Sequence, residues 1–394
     1  MFKYPIGVQS FEKIRNDGYV YVDKTDLVYK LAQGNIYFLA RPRRFGKSLL
    51  ISTLKAYFEG RKDLFKGLKM MDLEQKWTKY PVISFDFNGL SRQENNPLRN
   101  YLFSQIIEAE KQYNLTPEDT DDLMLRFRRL IPAIHKATGQ RVVVLIDEYD
   151  KPLLDLLDTG NPDDEKLLAA NRELLKAFFS IFKATDDHLR FVMLTGITKF
   201  SQVSMFSGFN QPDDISLSNR YDTLLGITEQ ELHTVFAEGI NEMAEEEGCS
   251  VEEIKTSLKL HYDGYHFSKR MVDVYNPFSI LNAFAKLDMK SYWFASGTPS
   301  YLVRLLGDNQ ENVMEYTSQN YPEQMFIDYK ADKEMPLPMI FQAGYLTIKG
   351  YDREFNTYRL DFPNNEVKQG LITLLANNYL GQEYEMTSTL VNIE

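Results

Sequence analysis

Four short apolar runs punctuate the first half of the chain, at residues 36–40, 82–87, 142–147 and 191–195. Strands covered on both faces read as near-continuous hydrophobic stretches rather than alternating ones. Between these runs apolar positions recur at helical spacing, and the alternation predicts a three-layer α/β fold around a mostly parallel sheet. Residues 153–182 are helical in pattern but interrupted at Thr159-Gly160-Asn161-Pro162, which predicts a loop between two helices. The pattern changes near Thr228, where residues 229–247 form an acidic helical segment that stops at Gly248. In the tail, residues 338–344 fit the end of a helix, and 345–348 and 358–362 fit two strands around a polar turn. These shifts give expected domains at 1–228, 229–298 and 299–394: an α/β domain, a mainly helical lid-like region and a small module of winged-helix type.

Composition narrows the classes. The 394 residues are 43% hydrophobic and 26% charged, an ordinary globular balance. A formal charge of −11 argues against a protein that coats nucleic acid through overall basicity, while leaving a local basic groove open. The single cysteine, Cys249, excludes an intramolecular disulfide framework and a cysteine-based zinc site. No apolar stretch approaches membrane-spanning length, and the first residues carry no apolar leader. The expectation is a soluble, cytoplasmic protein without a membrane partner.

The chemistry concentrates after the first run. Residues 36–40 lead into Arg41-Pro42-Arg43-Arg44-Phe45-Gly46-Lys47-Ser48, and an amphipathic helix follows to Phe58 with Gly60 as its stop signal. A strand, a loop ending Gly-Lys-Ser and a helix make a phosphate-binding loop, in which amide groups and the helix N-terminus face phosphates. Arg41, Pro42, Arg43, Arg44, Phe45, Gly46, Lys47, Ser48 and Leu49 are the expected nucleotide cradle, with Lys47 reaching the β and γ oxygens and Ser48 holding Mg2+. Arg41 departs from the pattern, which wants glycine there. The third run ends in Asp147-Glu148, where ligands of open α/β sheets bind. Asp147 is the expected Mg2+ partner and Glu148 the base that polarises the attacking water. The fourth run ends in Thr195, which either senses the γ-phosphate from an added strand or caps the turn that follows.

Tyr21-Val22-Asp23-Lys24-Thr25, the Arg41–Ser48 loop, Asp147-Glu148-Tyr149-Asp150, Tyr262-Asp263-Gly264-Tyr265 and Tyr275-Asn276-Pro277-Phe278-Ser279 together resemble the AAA-ATPase-like proteins of anaerobic gut bacteria. The resemblance covers nearly the whole chain, and that family itself carries arginine at the position of Arg41. It implies a P-loop ATPase of the additional-strand, catalytic-glutamate class that uses ATP and Mg2+, with catalytic residues Glu148, Lys47 and Thr195. Family members commonly continue into a C-terminal PD-(D/E)xK nuclease-like domain. Here only isolated Glu-x-Lys triplets occur late in the chain, Glu253-Ile254-Lys255 and Glu366-Val367-Lys368. Both are expected on solvated helix faces, so no nuclease activity is expected.

Two readings follow. In one, an enzyme hydrolyses ATP and couples the cycle to a partner or nucleic acid. In the other, a slow nucleotide-dependent switch or DNA-binding module regulates a nuclease system. A homo-oligomer is left open, and Arg220 is either a trans-acting arginine finger or an exposed arginine ahead of a helix.

Overall fold

The computed structural model describes residues 2–88, 90, 95–117, 119–157, 159–200, 212–296, 313–327 and 336–380. The chain divides into two compact units, with the break between Gly226 and Ile227. The described parts of 229–298 and 299–394 lie within the second unit.

The first unit is built on five parallel strands: β1 (Ile36–Ala40), β2 (Val82–Asp86), β3 (Val142–Asp147), β4 (Leu189–Gly196) and β5 (Asp213–Asp214), in the order β2-β3-β4-β1-β5. The four expected runs are all strands, and β4 is longer than its apolar run by two residues at its start and one at its end. The two-residue β5 carries acidic residues only and gives no periodic signal. Every residue of β3 is buried, as a strand covered on both faces requires. On one face Val143, Leu145, Phe191 and Met193 join Leu54, Phe58 and Phe65 in a single apolar cluster. On the other, the Phe85 ring meets Phe127 and Phe178, which stack at 4.8 Å.

The helices begin where local chemistry says they should. Asp122 accepts from Met124 and Leu125 amides at the start of Leu123–Thr138, which ends on Gly139 at φ 69°. Asn161 caps Pro162–Ala184, so the interruption at residues 159–162 does separate two helices, Lys151–Leu154 and Pro162–Ala184. Because all five strands run the same way, Ala40, Asp86, Asp147 and Gly196 finish on one edge of the sheet.

In the second unit the acidic segment forms two helices, Glu229–Val235 and Ala237–Glu247, broken at the buried Phe236. Thr228 and Glu231 form a capping box at the first, and Gly248 closes the second in the left-handed region. The tail holds an antiparallel sheet of β6 (Asn320–Pro322), β7 (Thr347–Asp352) and β8 (Thr357–Asp361), in the order β6-β8-β7. Two strands around a polar turn are present as expected; the three-residue β6 carries no periodicity to reveal it. The Tyr262-Asp263-Gly264-Tyr265 motif is a junction. Lys349 donates from Nζ to the carbonyls of Gly264 at 2.7 Å and Pro363 at 3.2 Å, and Asn364 donates to the Asp263 carbonyl at 2.8 Å. Gly264 sits at φ 85°, where an added Cβ would collide with the Pro363 carbonyl.

The expectation that Glu366 lies on a solvated helix face is overturned. Glu366 does open the helix Asn365–Leu380, but it is 2% exposed. Its carboxylate accepts from the Trp293 amide at 2.7 Å and the Ser279 hydroxyl at 2.8 Å, joining three helices. Sequence pattern reads it as a good helix former and cannot see the partners folded over it. Burial pushes this carboxyl up to about 7. An exposed glutamate releases its proton near 4.3, so between these values the folded state binds the extra proton. The contribution to stability is fully present below the unfolded value and is lost as pH rises through about 7. The unfolding midpoint should therefore fall over this window, and Glu366→Gln should flatten that slope; an unchanged slope in the variant would remove Glu366 as its source.

Candidate active site

The loop between β1 and the Lys47–Phe58 helix is shaped by two left-handed residues, Arg44 at φ 65° and Gly46 at φ 95°. The first intrahelical bond runs from the Leu50 amide to Gly46, so the amides of Lys47, Ser48 and Leu49 lack partners one turn back and point out of the helix start. The Phe45 side chain is buried in the core, which anchors the loop. Lys47 is 5% exposed, and its Nζ donates to the carbonyls of Arg41 at 3.0 Å and Pro42 at 3.1 Å. Burial lowers the pKa of this ammonium, while Glu148, Asp147 and Asp150 act against the shift.

Arg41 does not use its side chain as a solvated or phosphate-facing arginine would. Its guanidinium is 1% exposed and donates from Nη1 to the carbonyls of Ala40 at 2.9 Å and Ser216 at 2.6 Å, with Nη2 at 3.5 Å from the Tyr221 carbonyl. The Arg41 amide binds the Gly196 carbonyl at 3.1 Å, and the Ala40 amide binds the Ser216 hydroxyl at 2.8 Å. The side chain thus braces the exit of β1 against the segment after β5. Burial lowers its pKa to about 9, with Asp214 and Asp222 opposing. In sequence this brace is invisible, because its acceptors beyond Ala40 are the main-chain carbonyls of Ser216 and Tyr221, far along the chain.

The acidic side of the edge is built by strand register. Asp147 and Thr195 stand side by side on β3 and β4, and the Thr195 hydroxyl donates to Asp147 Oδ1 at 2.5 Å. The Glu148 amide donates to that same oxygen at 3.1 Å, so among the described residues both donors to this carboxylate fall on Oδ1 rather than Oδ2. Glu148 occupies the left-handed region at φ 51°, and burial raises its pKa, with Lys47 opposing. Asp86, beside Asp147 in register on β2, is also raised by burial. Two further residues of this turn stand out in the sequence only as part of a motif. Tyr149 and Asp150 are both buried and bind the segment that leaves β4. No local pattern signals this, since their partners lie almost fifty residues on.

Lys47, Asp147, Glu148 and Thr195 are thus gathered at one edge, with Ser48 in the first turn of the adjoining helix. Arg44 is exposed and Arg43 half-buried on the same loop. Arg220 is exposed in a turn after β5.

A family model described as a predicted AAA-ATPase matches residues 5–206. A protein of Azotobacter chroococcum mcd 1, described as an uncharacterized protein in the vnfD 5′ region, is 38% identical over 382 residues, covering 96% of this chain and 70% of that relative. Among solved structures, the Aeropyrum pernix ORC2 protein in ADPNP-ADP complexes aligns over 92% of this chain and 96% of its own, at 11% identity and a TM-score of 0.35. The Aeropyrum pernix ORC1 protein in complex with DNA covers 92% and 94%, at 10% identity and a TM-score of 0.29. Likeness at these structural scores carries no argument about the site.

Arg41→Met should cost about 1–3 kcal/mol of stability, because it strips buried carbonyls of a charged donor. Chemical denaturation measures this. A variant of parental stability that binds nucleotide weakly would instead put the guanidinium on the phosphates.

Proposed function

The chain belongs to the predicted AAA-ATPase family, and on that footing we propose that it binds ATP with Mg2+ between the Arg41–Leu49 loop and the Asp147–Glu148 strand end and hydrolyses it. One observation carries the proposal: β4 lies between β1 and β3, which brings the Thr195 hydroxyl onto Asp147 on the same edge as Lys47. That order is the arrangement expected of the additional-strand, catalytic-glutamate class.

The triphosphate is received by the helix N-terminus and by Lys47, whose ammonium is already held in the loop by two carbonyls. The donor set fits a hard divalent cation: Asp147 Oδ2 and the Ser48 hydroxyl would hold Mg2+, as oxygen ligands suited to it. Bound Mg2+ supplies charge neutralisation on the phosphate oxygens. Glu148 takes the proton of the attacking water as its oxygen bonds to the γ-phosphorus. The bond from that phosphorus to the β–γ bridging oxygen breaks, giving ADP and phosphate. A base raised by burial is better matched to neutral pH, and it is competent only above its pKa, so turnover rises with pH through that value. Thr195 holds Asp147 through its hydroxyl and stands ready to register the γ-phosphate.

Lys47→Ala should abolish ATP binding by calorimetry while the far-UV spectrum and melting curve keep their folded form; parental affinity would overturn the loop assignment. Glu148→Gln should bind ATP normally and turn over about 10²–10⁴-fold more slowly. Phosphate release at the parental rate would mean that the water is activated elsewhere.

A further inference from the structure

Asp150 stands at the N-cap of the Lys151–Leu154 helix, where an aspartate ordinarily binds the amides of its own first turn, yet its side chain makes no capping bond. It reaches instead to the chain leaving β4. Its Oδ2 accepts from the Ile197 amide at 3.0 Å, the Thr198 amide at 2.6 Å and the Thr198 hydroxyl at 2.7 Å. Three donors converging on one oxygen call for an ionised acceptor, and the residue is 1% exposed. The neighbouring Tyr149 completes the seam. Its amide donates to the Thr195 carbonyl at 3.0 Å, and its hydroxyl donates to the Thr198 carbonyl at 2.9 Å and accepts from the Phe200 amide at 3.1 Å. Gly196 permits this closeness, since a Cβ there would fall 2.7 Å from Asp150 Oδ1 and from the Tyr149 ring.

Between the two seamed strand ends sits Glu148 in the left-handed region, a conformation that persists in a non-glycine residue only where its surroundings hold it. We infer that Asp150 is a positioning residue for hydrolysis, fixing the turn that presents Glu148 to the exit of β4 so that the base and the Thr195 tip keep one geometry. The inference rests on the reading of Glu148 as the base. Burial raises the pKa of the Asp150 carboxyl, while the Thr198 bonds and Lys47 act against that shift, so this anchor lies within the electrostatic reach of the phosphate-binding lysine.

The test is a double-mutant cycle on the full chain, measuring turnover and ATP·Mg2+ affinity for the parent, Asp150→Asn, Glu148→Gln and the pair. A residue that only stabilises the fold would lower the melting temperature and leave the turnover of ATP-bound protein alone. A positioning residue should keep ATP affinity within about threefold and lower turnover about 10–100-fold, the order expected when a catalytic group is misplaced by about 1 Å. Acting through Glu148, it should add no further loss in the pair, as residues that work as a unit do not add. Should Asp150→Asn fail to fold, Thr198→Val removes one donor and keeps both amides, with a smaller loss of turnover and the same non-additivity expected. Parental turnover in the folded variant, or losses that multiply in the pair, would overturn the inference. Parental turnover in Glu148→Gln would instead overturn the reading of Glu148 as the base, on which the inference rests.

Discussion

An ammonium almost sealed from water has to be held by something, and the first unit is organised around holding that of Lys47. Removing an isolated charge from water is costly, so a buried lysine either loses its proton or gathers acceptors. Lys47 gathers two carbonyls of its own loop and faces three carboxylates, Glu148, Asp147 and Asp150. Those carboxylates are in reach because the strands are parallel, so their carboxyl ends share one edge, and because β4 brings Thr195 beside Asp147. The arrangement carries positive potential at the helix start and negative potential across from it, the polarity that a phosphate chain and its divalent counter-ion require.

What the sequence makes legible follows the range of the forces involved. The strands β1 to β4, the Gly46-Lys47-Ser48 helix start and the loop at residues 159–162 are set by apolar runs, a left-handed glycine and capping residues, all local. That Asp147 and Glu148 end a buried strand is legible for the same reason. The brace at Arg41, the seam at Asp150 and the buried carboxylate of Glu366 are not, because each depends on partners from 47 to 180 residues away. Arg41 is the instructive case. Its position in a basic loop suggests phosphate, while its burial and its carbonyl partners make it structural. Glu366 shows the same limit from the other side: Glu, Val and Lys at the start of a helix look solvated until three helices meet over the carboxylate.

The second unit uses buried polar groups to fasten elements together. Lys349 and Asn364 bind main-chain carbonyls at the Asp263-Gly264 turn, so β7, the turn and the start of the last helix meet at one point. His266 sits between the Ile348 carbonyl and the Asp273 carboxylate, which holds Asp273 below the usual carboxylate range. Motifs that share one family resemblance thus differ physically: the Arg41–Ser48 and Asp147–Asp150 motifs of the first unit converge on an edge where strands end, whereas these close a junction.

The braces of the first unit meet in one place. Lys199 directly follows Thr198, which Asp150 holds, and it pairs with Asp214 at 2.7 Å with both side chains largely buried. Asp214 in turn supports the charge of Arg41, whose carbonyl is one of the two that hold Lys47. The circuit therefore runs from the acidic turn through the exit of β4 to β5, into the phosphate loop and back to the acidic turn through Lys47. Breaking a buried ion pair by displacing one partner leaves an uncompensated charge, which is strongly unfavourable. The loop that bears Lys47 and the turn that bears Glu148 are thus linked twice, through Lys47 itself and through the β4 exit and the segment at β5.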